Sequence, residues 1–141
     1  MQFLTDSAPT SVLAWAPEDE GARKAHENAI ISVRFQDGSV GTVLYVATGA
    51  TAVEKEYLEV HADGKSVKML DFRKLICAQG RQEKSRSFPA DKGHGEEMRT
   101  LWRCVLDGRP APISLASLIA TSRTSLAVLE SLKTGSPVTI G

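Results

Sequence analysis

One stretch constrains this chain more than any other: "IISVRFQDGSVGTVLYVA", residues 30 to 47. Ile31, Val33 and Phe35 alternate with Ser32, Arg34 and Gln36, the period-2 pattern of a strand with one buried face. Asp37-Gly38 marks the turn, because hairpin turns need a residue that tolerates positive φ. The returning strand is different. Val40, Leu44 and Val46 share one face, while Val43, Tyr45 and Ala47 share the other, so both faces are apolar. Such a strand calls for cover on both sides.

A second hairpin repeats the logic. Tyr57 to Ala62 and Ser66 to Leu70 flank Asp63-Gly64-Lys65, and Phe72 to Ala78 reads as a further strand. "TSVLAWA" after Pro9 is another strand, and residues 17 to 27 form a polar loop. Residues 80 to 93 are rich in charge, Ser, Pro and Gly, and are expected to be a surface loop with room for one edge strand. Phe3 and Leu4 look like the last turn of a helix that leaves through Asp6 to Pro9.

Helices come late. Met98, Leu101, Trp102, Val105 and Leu106 make an apolar stripe that ends at Gly108. Ser114 fits the N-cap of a longer helix, on which Leu115, Leu118, Ile119, Leu126, Leu129 and Leu132 are expected to mark the buried face. Lys133, Gly135 and Pro137 form its stop, and "SPVTI" adds an edge strand. Strands in a run followed by helices, without βαβ alternation, predict an α+β fold. The expected architecture is a mostly antiparallel open sheet with helices packed on one face.

The 141 residues suit one domain and bury roughly 70% of the unfolded surface, enough for a core without staples. A net charge of zero argues against nucleic-acid or anionic-membrane partners. Cys77 and Cys104 lack the spacing of a disulfide framework, and neither a leader peptide nor a span of about 20 apolar residues is visible. A soluble, cytoplasmic protein is the expectation.

Few residues propose chemistry. There is no glycine-rich phosphate loop, no nucleophile elbow, and no metal-ligand spacing among His26, His61 and His94. His61 reads as a sheet-face residue and His26 as a solvated one. Cys104 reads as partly buried packing, and Arg81, Lys84 and Arg86 as a solvated loop. The stretch "DKGHGEEM" stands out. Glu96 and Glu97 sit in a first helical turn, where carboxylates suit the macrodipole, and Lys92 and His94 are flanked by Gly93 and Gly95. It is either a polar helix entry or an end where free N–H groups, Lys92 and His94 meet a ligand. Asp71 and Arg73, a pair at a strand start, are the second candidate for binding a hydroxylated substrate.

"FQDGSVG", "EKEYLEV", "DFRKL" and "DKGH", in series ahead of "PAPISLASLIATSRTSLAVLESLKTGSPV", give the chain a familiar order. Over about residues 1 to 140 it resembles the C-terminal domain of the glucose-fructose oxidoreductase, inositol dehydrogenase and MocA (Gfo/Idh/MocA) family. The likeness is strongest to the branch in which this module follows an alcohol-dehydrogenase-like half. The resemblance implies a substrate-binding and oligomerisation domain, residues 1 to 141, whose open sheet face meets other subunits in a homo-oligomer. It further implies NAD or NADP bound by an N-terminal Rossmann domain that this chain lacks, and no cofactor bound by the chain itself. The family's glycine motif, Glu-Lys-Pro segment and Asp/His pair all precede the matching part. No catalytic residue is therefore assigned here, and the chain alone is expected to be inactive. A sugar- or cyclitol-like substrate would lie between the two halves, with Lys92, His94, Asp71 and Arg73 as candidates for its cleft. Two alternatives stand beside this reading. One is a stand-alone ligand-binding or scaffold domain; the other is a small α+β enzyme using Tyr45, Asp71 or His94.

Overall fold

The computed structural model describes residues 1–17 and 27–141. His26 and most of the polar loop expected over 17 to 27 lie outside the described residues. The chain divides into two compact units, Met1–Thr48 with Ala111–Gly141, and Gly49–Pro110. Every strand pairing is antiparallel and neither sheet closes, which makes the α+β architecture the expected one. The strands are shared between two four-stranded sheets.

The first unit opens with the one-turn helix α1 (Gln2–Thr5). It then forms strands β1 (Pro9–Trp15), β2 (Asn28–Phe35) and β3 (Val40–Val46). The long helix α3 (Leu115–Thr134) and the short strand β8 (Val138–Thr139) complete it, in the sheet order β3-β2-β1-β8. The turn between β2 and β3 is built as the sequence suggests. Gly38 has φ 88, and Asp37 accepts from the Ser39 backbone N–H and hydroxyl at 3.0 and 2.8 Å. The register then pairs Ile31 with Val43 and Val33 with Gly41.

The core sits where α3 crosses β1 and β8. Val12, Val33, Phe35 and Ala127 are buried together, with Ile31, Val128, Val138 and Ile140 packed around them. The N-cap of α3 is Ser114, whose hydroxyl accepts from Ser117 N–H, and Gly135 at φ 65 ends the helix. Both ends match the sequence signals. The buried face does not. Leu115, Leu118, Ile119, Leu126 and Leu129 are 44–72% exposed, and Ala127 and Ser131 are the buried residues of α3. Ser117, Ala120, Thr124, Ala127 and Ser131 recur at helical spacing, and it is this face of small residues that turns toward the sheet. The reason is proximity. Ser131, fully buried, accepts from the backbone N–H of Ala14 at 2.9 Å and donates to the carbonyl of Ser136 at 2.8 Å. A leucine face would hold the helix too far away for that bond. β3 also differs from expectation: Val40, Val43, Leu44, Tyr45 and Val46 are exposed on both of its faces.

The second unit holds β4 (Tyr57–Ala62), β5 (Lys65–Leu70), β6 (Lys74–Gln79) and β7 (Gln82–Ser87), paired in sequence order, and then α2 (His94–Leu106). β7 is the edge strand that the 80 to 93 stretch had room for, so Lys84 and Arg86 lie on a strand rather than in a loop. Its charged side chains suit an edge, where they discourage pairing with other chains. Cys104 is the buried residue of α2, while Met98, Leu101, Trp102, Val105 and Leu106 of its apolar stripe are 41–68% exposed. Among the described residues no helix is long and apolar enough to cross a membrane.

The Ser131 bridge has a measurable weight. Ser131→Ala leaves a buried N–H on β1 without its partner, which costs about 1–3 kcal/mol. Urea unfolding of the variant is expected to show that loss, whereas Ser125→Ala, on the exposed side of α3, should be near neutral.

Candidate functional site

Three of the four candidate residues gather in the second unit around the turn between β5 and β6. The strand expected to begin at Phe72 begins at Lys74 instead. Asp71 and Phe72 have φ 48 and 53, the two left-handed residues of a type I′ turn, closed by Arg73 N–H on the carbonyl of Leu70 at 2.9 Å. For a bulky residue such as Phe72 this backbone is strained, at roughly 1–2 kcal/mol, and it must be held by its surroundings. Several contacts hold it. Asp71 N–H donates to the carbonyl of Glu56 at 2.7 Å, and Phe72 N–H points at the Met69 sulfur at 3.1 Å. The Lys92 ammonium stands 5.6 Å from the centre of the Phe72 ring and donates to Glu56 Oε1 at 3.2 Å.

Asp71 and Arg73 pair directly, Oδ2 to Nε, at 3.3 Å. The turn therefore presents a carboxylate, a guanidinium, an ammonium and an aromatic ring together. That set can donate to and accept from the hydroxyls of a polar ligand. Pairs as exposed as these contribute little to stability by themselves. His94 stands apart from the group. It opens α2 after Gly93 at φ 79, whose N–H is held by Asp91 Oδ1 at 2.8 Å, and its recorded partner is Glu97 on its own helix at 4.0 Å. Glu56, which ties Lys92 to the turn, lies within the "EKEYLEV" segment, but the sequence reading gave it no role.

A second polar cluster lies on one face of the same sheet; Tyr57 and Glu59 belong to the "EKEYLEV" segment, but the sequence reading did not propose them as site residues. Tyr57 donates to Glu59 Oε2, Lys68 reaches Glu59 Oε1 at 3.0 Å, and His61 Nε2 approaches that oxygen at 3.3 Å. His61 Nδ1 meets Ser66 Oγ at 2.8 Å. His61 is thus the sheet-face residue expected. The signal that could have found the cluster is the turn Asp63-Gly64, at φ 49 and 70. A two-residue hairpin there pairs Glu59 with Lys68 and His61 with Ser66 by register alone. The hydrogen bond from Tyr57, and then that from Lys68, hold the Glu59 carboxyl below its ordinary range. The same bonds to Glu59 push the Tyr57 hydroxyl and the Lys68 ammonium above theirs.

In the first unit, a shallow apolar depression of about 330 Å³ is lined by Trp15, Ala16, Pro17, Asn28, Ala29, Ile30, Leu44, Tyr45 and Val46. Asn28, the Tyr45 hydroxyl and the Trp15 indole N–H are its polar side-chain groups in an otherwise apolar lining, so it offers little to a hydroxylated ligand. Among the described residues no group of three or more His, Cys, Asp or Glu could hold a metal ion.

No protein-family model and no curated protein matches the sequence. Solved structures do match the fold. An oxidoreductase from Agrobacterium radiobacter, in complex with NAD+, L-tartaric acid and magnesium, superposes with a TM-score of 0.81 at 15% identity over 99% of this chain and 45% of its own. An aldose-aldose oxidoreductase from Caulobacter crescentus, complexed with glycerol, gives 0.78 at 16% identity over 98% of this chain and 43% of its own. Levoglucosan dehydrogenase in complex with NADH gives 0.74 at 19% identity over 95% and 45%. These oxidoreductase structures contain the fold of this chain as one part of theirs. It is the fold that the resemblance to the Gfo/Idh/MocA C-terminal domain implied, and the chain spans less than half the length of the structures it matches.

The Glu59 cluster sets a pH test. A carboxyl held below its ordinary 4.5 contributes stability that is complete above that pH and is lost as pH falls through the lower folded value. Tyr57 and Lys68, raised above 10.0 and 10.5, contribute below those values and lose the contribution as pH rises through the folded ones. The cluster is therefore complete through the neutral range. Side-chain NMR titration is expected to place Glu59 below 4.5. Tyr57→Phe removes the larger cause and should move Glu59 back upward; an unmoved Glu59 would show that the tyrosine bond is not what holds it.

Proposed function

We propose that this chain is the substrate-side and oligomerisation half of an NAD(P)-dependent oxidoreductase of the Gfo/Idh/MocA type, working in the cytoplasm on a sugar- or cyclitol-like substrate. One observation carries the reading. Two structures solved with NAD+ or NADH, one of them levoglucosan dehydrogenase, and an aldose-aldose oxidoreductase solved with glycerol contain this fold as somewhat under half of their length. The dinucleotide belongs to the other half in this reading, and residues 1 to 141 act as one functional part with no cofactor of their own.

The substrate end is assigned to the Asp71-Phe72-Arg73 turn with Lys92 and Glu56. Asp71 and Glu56 accept from substrate hydroxyls, Arg73 and Lys92 donate, and the Phe72 ring lies beneath the Lys92 ammonium. His94 is proposed at the rim of the same cleft, on the first turn of α2. No residue here is given the hydride-transfer or acid–base role, so the chain alone is expected to be inactive.

The oligomer contact is assigned to the sheet face of the first unit that α3 leaves open. Trp15, Ile30, Leu44 and Val46 share that face by register and are 46–69% exposed. Exposed apolar patches of this kind mark interaction sites. Sedimentation equilibrium on the purified chain is expected to show a dimer or larger assembly, which Leu44→Lys should reduce to a monomer. NADH fluorescence recorded in parallel should show no binding. A wild-type monomer would overturn the oligomer assignment, and tight NADH binding would overturn placing the cofactor on the other half.

A further inference from the structure

The polar cluster on the sheet of the second unit holds an arrangement that the substrate turn does not use. Ser66 Oγ lies 2.8 Å from His61 Nδ1, and His61 Nε2 lies 3.3 Å from Glu59 Oε1. A hydroxyl, an imidazole and a carboxylate are thus joined in series. Strand pairing puts them there. The two-residue turn Asp63-Gly64 makes Ala62 and Lys65 the closing pair of the ladder. His61 and Ser66 are then a non-hydrogen-bonded pair, the kind whose side chains stand closest. Glu59, two residues back along β4, shares the face of His61. Such a set of nucleophile, base and carboxylate is recognised by its geometry, whatever the order of the residues in the chain.

The neighbours decide where the protons sit. A carboxylate at Nε2 favours the tautomer that carries its proton there, which leaves Nδ1 bare to accept from the Ser66 hydroxyl. Glu59 suits that task. Hydrogen bonds from Tyr57 and then Lys68 hold its carboxyl below the ordinary range, so it is ionised at neutral pH. Besides Glu59, the charged groups that register places on this face near the imidazole are Lys68 on β5 and, farther off, Glu83 on β7. The face is open to an incoming molecule: the His61 side chain is 65% exposed, and Ser66 is half-buried. Lys68, about 7 Å along β5 from Ser66, supplies a cation on the same side for an oxygen that gains negative charge.

We propose that Ser66, His61 and Glu59 form an acyl-transfer site that hydrolyses small carboxylic esters, separate from any hydride transfer. Ser66 Oγ attacks the ester carbonyl carbon while its proton passes to His61 Nδ1. The tetrahedral intermediate collapses, the bond to the alcohol oxygen breaks, and the alcohol leaves with the proton from His61. A water that gives its proton to His61 then attacks the acyl-serine, releasing the acid and restoring the Ser66 hydroxyl. The net change is ester and water to acid and alcohol, and no further reactant is needed. Ser66 and His61 are the catalytic residues. Glu59 is a positioning residue that acts through the imidazole. None of this depends on a dinucleotide, so the site can fail while the oxidoreductase reading stands, and the reverse.

The test uses the chain as it stands and two probes. A fluorophosphonate labels serines activated by a neighbouring base, and peptide mass spectrometry locates the adduct; p-nitrophenyl acetate hydrolysis is followed in parallel. The adduct is expected on Ser66, with hydrolysis above the buffer rate. Ser66→Ala should abolish both. His61→Gln should lower both by about tenfold or more, less than the usual general-base gain because the site is open to water. Ser85→Ala, on the same face at β7, should leave both unchanged. Glu59→Ala should lower both as well, and the nitrogen chemical shifts of His61 should then show loss of the Nε2–H tautomer, which a merely structural role for Glu59 would not move. Circular dichroism of each variant separates a lost site from a lost fold. No adduct on Ser66, labelling that survives His61→Gln in a folded chain, or acetate carried by Lys68 in place of Ser66 would overturn the proposal and leave the cluster a cross-strand polar ladder.

Discussion

The architecture of the first unit turns on a single hydroxyl. Ser131 sits fully buried between α3 and the β1 strand, accepting from Ala14 and donating to Ser136. β8 pairs only with Ser11 and Val12 of β1, so the N–H of Ala14 lies beyond the end of that short ladder. A buried backbone donor without a partner is costly, and α3 supplies the partner from its own side. To do so the helix must come close, and only small side chains permit it. The alanines, serines and threonine of one face are therefore turned inward, and most of the leucines are left outward.

That choice shapes what the surface can do. A helix whose large aliphatic residues face away from its own sheet has apolar area to spare, and so does β3, exposed on both faces. The second unit has the opposite character. Its outer strand β7 is exposed along its whole length and carries Glu83, Lys84 and Arg86. One face of its sheet bears the Tyr57–Glu59–Lys68–His61 cluster, and its β5–β6 turn holds the strained Asp71-Phe72 pair beneath Lys92. Apolar contact surface is thus concentrated on the strands of one unit, and polar recognition groups on the strands and turns of the other.

Much of the fold was legible in the residues. The alternation from Ile31 to Phe35, the turn at Asp37-Gly38 and the stop at Gly135 are local signals found in place, and the turn expected over Asp63-Gly64-Lys65 is found one residue shorter, with Lys65 already in β5. The site was legible in part. Asp71, Arg73 and Lys92 gather around one turn, but Glu56, which joins Lys92 to it, could not be read. Its role depends on a contact between residues 36 positions apart, and the two segments that carry them, "EKEYLEV" and "DKGH", do not show in the sequence that they meet. The start of β6 moved from Phe72 to Lys74 because a phenylalanine in the left-handed region is something local propensity argues against, and tertiary contacts override it.

The sequence by itself determined most of the elements, their order and the antiparallel pairing, because each depends on neighbours a few residues apart. The register of the second hairpin did not follow, since Lys65, read as part of the turn, opens β5 and pairs with Ala62. Tertiary structure alone decided which face of α3 is buried. Helical periodicity shows two faces, one heavy and one small, and hydrophobicity favours the heavy one. The unpaired N–H of Ala14, more than a hundred residues away, favours the small one. The hydrogen bond decides between them, since burying more leucine would leave a buried donor unmet.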